Sequence, residues 1–297
     1  MKKLAQTKYS RWLFVLPALL IVAALFVYPL STSIYYSMTS KHLIRASYRF
    51  IGLDNYMSLL RDPNFYKALS FSLKWTIASL TGQLIVGTTL ALALNAAKRF
   101  EGLFKTLLIV PWAFSSIVIA FSWKWILNVV YGFVPHLLLN FGLTDELISF
   151  FTDGRMVFPV LIFINVWFGA PLIMVNVLAA LKTVPGEQYE AAKIDGASGF
   201  KTFLFITVPH IQQVVGLLVI LRSIWIFNNF DLVYLLTGGG PANLTTTMPI
   251  YAYKTGWERQ LLGRASAVTL TLIVFLLVVA ALLILVSKLW RRGDQRA

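Results

Sequence analysis

Two phrases of this 297-residue sequence hold residues suited to recognising a polar solute. INVWFGAPLIMVN carries Asn165, Trp167, Phe168, Gly169, Pro171 and Asn176; LRSIWIFNNFDLVYLLT carries Arg222, Trp225, Ile226, Asn228, Asn229, Asp231 and Tyr234. Amides and a guanidinium bind hydroxyls, and flat rings cover the apolar face of a pyranose, so this mixture is what a sugar site needs. On α-helices Asn165, Phe168, Gly169 and Leu172 share one face. Arg222 and Asn229, with Ile226 on the stripe between them, share another. An arginine there also suits a sulfonate, phosphate or carboxylate on a sugar. A plainer use exists for the same groups: Asn and Arg can satisfy one another and the carbonyls freed near Pro171 and Pro209.

Other chemistries find little support. The sequence has no cysteine, which excludes disulfides, thiolate metal sites and cysteine nucleophiles, and His42, His136 and His210 are far apart. No nucleophile–base–orienter set is visible, so the chain reads as no enzyme and as holding no metal or cofactor. Gly238, Gly239, Gly240 and Pro241 lack a following GK[ST] and read as a turn, not a phosphate cradle. An ion-coupled secondary carrier would need a cluster of buried carboxylates, and only Asp231 lies near a span interior. Lys74 and Lys124 fall near span ends, where long side chains reach the interface.

Both phrases are embedded in oily sequence. Apolar residues make up 58% and charged residues 13%, which places the chain among all-α integral membrane proteins. Six runs are long enough to span the bilayer: about 12–38, 69–97, 103–127, 156–181, 206–236 and 265–289. They make one membrane domain over 1–297. With both termini inside, fourteen Lys and Arg fall in inner segments and nine in longer outer ones, the bias expected of cytoplasmic termini. The net charge of +14 therefore reads as orientation beside anionic lipid rather than nucleic-acid binding. The outer segments 41–67, 129–155 and 237–263 include the phrase FIGLDNY and, at 129–155, short interfacial helices.

Between the fourth and fifth runs lies a polar insert, EAAKIDGASGFKTFLFITVP, at 190–209. Pro185 and Gly186 open a short helix, Gly196 ends it in a left-handed turn, and Ser198 caps a second helix running to Pro209. Small Ala191 and Ala192 would let another protein surface approach. The insert reads as a docking element, with Gly196 and Pro209 as joints.

This insert resembles the EAA loop of ABC-importer permeases: Glu190-Ala191-Ala192, three residues, Gly196, nine residues, Ile206, then Val208 (usually Leu) and Pro209. LPALLIVAALFVYPL, FIGLDNY, NVWFGAP and FNNFDLVYLLTGGGP are similar to the carbohydrate importers of the maltose and glycerol-phosphate type, on the MalF-like side of the permease pair. The resemblance implies the six-helix type I importer permease fold in a bacterial cytoplasmic membrane. It implies a second homologous permease, two ATPase subunits carrying ATP and Mg, and an extracytoplasmic solute-binding protein. Glu190, Ala191, Ala192, Asp195 and Gly196 become the coupling residues within a cytoplasmic loop, 184–206. Asn165, Phe168, Gly169, Arg222, Ile226 and Asn229 become substrate contacts. Phe168, Arg222 and Ile226 depart from the maltose pattern, and the maltose protein's extra spans and large insert are absent here. The solute is expected to be a carbohydrate or polyol; a non-carbohydrate solute is the alternative.

Overall fold

A computed structural model describes residues 8–97 and 100–294, with side chains over 14–97 and 100–285. The basic residues Lys2, Lys3, Lys98, Arg99 and Arg296 used in the charge count lie outside the described residues. The chain is helical: α1 (Lys8–Val22), α2 (Tyr28–Ser37), α3 (Asp54–Leu60), α4 (Pro63–Ala96), α5 (Glu101–Ala113), α6 (Ser116–Ile126) and α7 (Phe133–Asn140) come first. Then follow α8 (Val157–Leu181), α9 (Gly186–Ile194), α10 (Gly199–Thr202), α11 (Val208–Phe227), α12 (Asp231–Thr237), α13 (Met248–Tyr253) and α14 (Leu262–Asp294).

Among the described residues, five stretches are long and apolar enough to cross a membrane: Phe14–Ser37, Pro63–Ala96, Val157–Leu181, Gly199–Thr237 and Leu262–Leu285. The run at 103–127, read from sequence as one span, departs from expectation. It forms α5 and α6, bent by 92° about Phe114 and Ser115. Both residues are extended, and the Ser115 hydroxyl accepts from the Val118 amide at 3.4 Å, so a cap restarts the helix where hydropathy sees no break. The fold has six spans when this bent pair is counted as one. In the segment 129–155, α7 is the expected short helix.

Among the described residues, three π-turns interrupt the helices, at Ala23–Val27, Phe203–Thr207 and Lys254–Glu258. Two of them stand just ahead of a proline, Pro29 and Pro209. Proline lacks an N–H and its ring crowds the carbonyl four residues back, so the preceding turn widens to i→i+5 bonds. The Tyr28 amide reaches the Ala23 carbonyl and the Val208 amide that of Phe203.

The chain packs as two compact units, Met1–Pro63 with Ala252–Phe275, and Asn64–Tyr251 with Leu276–Ala297. The smaller is laced by loop contacts. The Asn55 amide donates to the Ser37 and Thr39 carbonyls at 2.8 and 2.9 Å, and Arg264 pairs with Asp62 at 2.7 Å.

In the larger unit the apolar core has two layers. One holds Trp75, Ile119, Leu161, Ile164, Ile226 and Leu232; the other holds Ala91, Ile173, Met174, Val177, Ile211 and Leu218. Each layer draws on α4, α8 and α11. Between the two, the three helices contribute Gln83, Asn165 and Arg222, a polar layer at the middle of the spans.

Candidate substrate cleft and coupling segment

Small residues bring the polar layer together. A Cβ on Gly82 would meet the Val166 side chain at 2.5 Å, and one on Gly87 would meet Ile173 at 2.6 Å and the Ala170 carbonyl at 2.8 Å. Helices α4 and α8 therefore approach as closely as glycine permits, the packing that spans use where no solvent drives association. That approach sets Gln83 against α8. Its Nε2 donates to the Asn165 carbonyl at 3.0 Å and to Asn165 Oδ1 at 2.7 Å. Its Oε1 accepts from Arg222 Nε at 3.0 Å and from an Arg222 terminal nitrogen at 2.7 Å. Gln83 is fully buried, Asn165 is 1% exposed and Arg222 7%.

Above this layer opens a cleft of about 350 Å³, lined by Asn165, Phe168, Arg222, Ile226 and Asn229 among others. Those are five of the six residues assigned from the sequence. The sixth, Gly169, is buried against the polar layer instead: a Cβ there would run into the Gln83 amide and the Arg222 guanidinium. The cleft owes its shape to an interruption after α11. The chain leaves helical form at Asn229 and Phe230 before α12 begins, and the Asn229 Oδ1 accepts from the Leu232 amide at 3.1 Å. The Ile226 carbonyl at that break receives the Trp75 indole N–H at 3.0 Å. Aromatic walls come from Phe168, Trp225 and Phe230, with the Arg222 guanidinium 5.7 Å from the Trp225 ring. Asp231 sits at the exposed rim, where Ser116 Oγ donates to it at 3.4 Å.

The sequence reading missed Gln83, Trp75, Trp112 and Ser116. Gln83 was detectable by the rule applied to the other spans, as one of two amides, with Asn95, inside the apolar run 69–97. Of the plainer readings, mutual satisfaction of Asn165 and Arg222 holds only through this third residue. Asn176, by contrast, bonds back to the Leu172 carbonyl of its own helix at 2.8 Å. Lys124, near its span end, donates to the Leu235 carbonyl at 3.2 Å.

Below α11, the insert folds as its local residues dictate. Gly196, at φ +70°, ends α9: its amide bonds the Lys193 carbonyl at 3.1 Å, and the Ala197 amide the Ala192 carbonyl at 2.9 Å. This pair of bonds is the Schellman motif. The Ser198 hydroxyl accepts from the Lys201 amide at 3.4 Å and starts α10. Glu190, Ala191, Asp195 and Gly196 are exposed, and so are Ile194 and Phe200, at 87% and 73%. Ala192 is the exception; it is buried and faces its own chain, so Ala191 alone of the alanine pair is presented outward.

A helical membrane protein with a polar cleft at mid-span, and an exposed helical bracket leading into the same segment, has the parts of a solute pathway. Comparison makes the class specific. The chain belongs to the family of binding-protein-dependent transport system inner membrane components, whose model matches residues 83–292. It is therefore a multi-pass inner-membrane permease component, and the ion-coupled carrier weighed above gives way.

Among relatives, it is 29% identical to the multiple sugar-binding transport system permease protein MsmF of Streptococcus mutans, over 95% of this chain and 96% of that protein. It is 30% identical to the trehalose/maltose transport system permease protein MalF of Thermococcus litoralis, over 82% of this chain and 81% of that one. A chain in the crystal structure of a bacterial ABC transporter involved in the import of the acidic polysaccharide alginate matches with a TM-score of 0.82. That match has 23% identity and covers 94% of this chain and 95% of its counterpart. The type I importer permease fold is thereby shown.

Proposed function

We propose that this chain is one of two homologous transmembrane subunits of an ATP-driven importer for a carbohydrate or related polyol. The observation that carries the reading is the single segment Gly199–Thr237, which joins the exposed bracket at one end to the cleft residues Arg222, Ile226 and Asn229 near the other. The named substrates of MsmF and MalF support a saccharide, and the polar and aromatic lining of the cleft fits one.

In this reading both termini and the bracket lie in the cytoplasm, and a solute-binding protein delivers the saccharide from outside. Two ATPase subunits supply ATP, Mg and hydrolysis, and α9 docks on one of them through Glu190, Ala191, Ile194 and Asp195. Closure of the ATPase pair moves α9. The Schellman turn at Gly196 stiffens the link to α10, and the spans tip between inward-open and outward-open states around the cleft. ATP shifts that equilibrium only to the extent that the closed ATPase pair fits one permease state better than the other. Asn165, Phe168, Arg222, Ile226 and Asn229 contact the sugar, and Gly169 keeps the polar layer beneath it in place.

The test is uptake of labelled oligosaccharides by vesicles holding the complete transporter, with binding protein outside and ATP inside. Uptake that requires both is expected. Uptake that persists without ATP would overturn the proposal.

A further inference from the structure

We infer that the floor of the cleft takes an anionic group on the transported saccharide, and that Gln83 is the positioning residue that makes it do so; this rests on reading the cleft as the substrate site. Arginine can only donate hydrogen bonds, so the Gln83 atom facing Arg222 must be its oxygen. The nitrogen of that amide must then face Asn165, and it finds two acceptors there, the backbone carbonyl and Oδ1. The Asn165 side chain is thereby committed to present its NH₂ group elsewhere. One chain of bonds fixes the sense of all three side chains, independent of how either amide is drawn. The side-chain polar atoms of Asn165 and Arg222 that Gln83 does not engage are N–H donors, and both residues line the cleft.

A sugar hydroxyl both donates and accepts, and a floor of donors uses only half of it. A carboxylate, sulfate or phosphate only accepts, and it fits such a floor. Charge points the same way. Arg222 is buried at mid-span, and among the described residues its hydrogen-bond partner is a neutral amide rather than a carboxylate, so its positive charge is oriented but not cancelled. Asp231 also lines the cleft, but at the exposed rim, where water screens it. The floor and not the rim therefore decides which charge enters.

The test uses cells expressing the complete importer with its own binding protein. They receive labelled neutral disaccharides, the matching disaccharides bearing a uronic acid, sulfate or phosphate, and inorganic sulfate and phosphate. Preferred uptake of acidic saccharides is expected. Uptake of neutral saccharides alone would overturn the inference and leave the import proposal standing. Uptake of no saccharide, or of the inorganic anions in their place, would overturn both.

Gln83→Glu then isolates the positioning role. Its new carboxylate cancels the Arg222 charge and turns Asn165 round, so the acidic-over-neutral ratio of kcat/KM is expected to fall about tenfold, through KM. An equal loss for both probes would reduce Gln83 to a structural residue. Co-purification with the partner subunits checks assembly. Should that variant not assemble, Gln83→Met, which removes the acceptor without adding charge, reads the same ratio.

Discussion

The polar layer and the α9–α10 bracket are both polar insertions in an oily chain, but they are held by opposite means. Gln83, Asn165 and Arg222 come from three helices and satisfy one another across sequence separations of 82 and 139 residues. The bracket satisfies itself: its Schellman bonds and its Ser198 cap all lie within a few residues. The layer is buried and the bracket exposed. A substrate site needs donors fixed in direction, and burial with mutual bonding fixes them. A docking element needs a surface that keeps its shape before its partner arrives, and local capping provides that. Damage should therefore appear in different measurements for the two regions.

The largest effect is expected at Gly169, where the layer has no slack. Gly169→Val would push aside the Gln83 amide and the Arg222 guanidinium. Each buried group left short of a partner costs ~1–3 kcal/mol, so uptake should fall by about two orders of magnitude. Wild-type uptake by an assembled Gly169→Val transporter would break the contrast, since the layer would then be as forgiving as a surface.

Next comes Gly196, where nothing crowds the position and only the backbone angle matters. Gly196→Val forces a β-branched residue into the left-handed region at ~1–2 kcal/mol, while Gly196→Asn is tolerated there. Vesicles carrying the valine variant should hydrolyse ATP with uptake lowered about tenfold, and asparagine should restore coupling. Equal uptake in the two variants would remove the turn from the coupling path.

A smaller effect is expected at Trp75. Trp75→Phe removes one buried hydrogen bond to the Ile226 carbonyl, worth ~1 kcal/mol, and should lower the thermal midpoint without changing which saccharide is taken. A change of substrate preference would extend the site one layer beyond the cleft. The smallest concerns Lys182, paired with Glu101 at 2.5 Å but half exposed. Lys182→Ala should shift stability by no more than ~1 kcal/mol and leave uptake as it was. A large loss would show the contacts at the bracket end of the spans to be less local than the bracket implies.

The same contrast explains what could be read from the sequence. Gly196, Ser198 and Pro185 act on their immediate neighbours, so both short helices and their joint were legible from a few letters. Hydropathy found the five long spans for a similar reason, because length and apolarity belong to one segment. The 92° bend between α5 and α6 was hidden because apolar residues stand on both sides of Phe114 and Ser115. Asn165, Phe168, Arg222 and Ile226 could be placed on their faces by helical spacing. Asn229 lines the cleft although α11 ends at Phe227, so the seven-residue helical spacing expected from Arg222 does not place it. The role of Gly169 could not be read, since the side chains it makes room for stand on other helices. Gln83 could be singled out as an intramembrane amide, but its partners could not, being chosen by packing between spans.

The π-turn at Phe203–Thr207 has a consequence for how such a protein can change over time. A π-turn is an α-helix carrying one surplus residue, and this one lies between the bracket and Arg222. Losing a residue here would convert the wide turn to an ordinary one and leave the phase of α11 intact. Losing one within α11 itself would swing everything beyond it by about 100° and carry Arg222 off the cleft. The wide turn thus separates the helical register of the docking side from that of the cargo side. The surplus residue acts as an expansion joint between two surfaces that answer to different selective pressures.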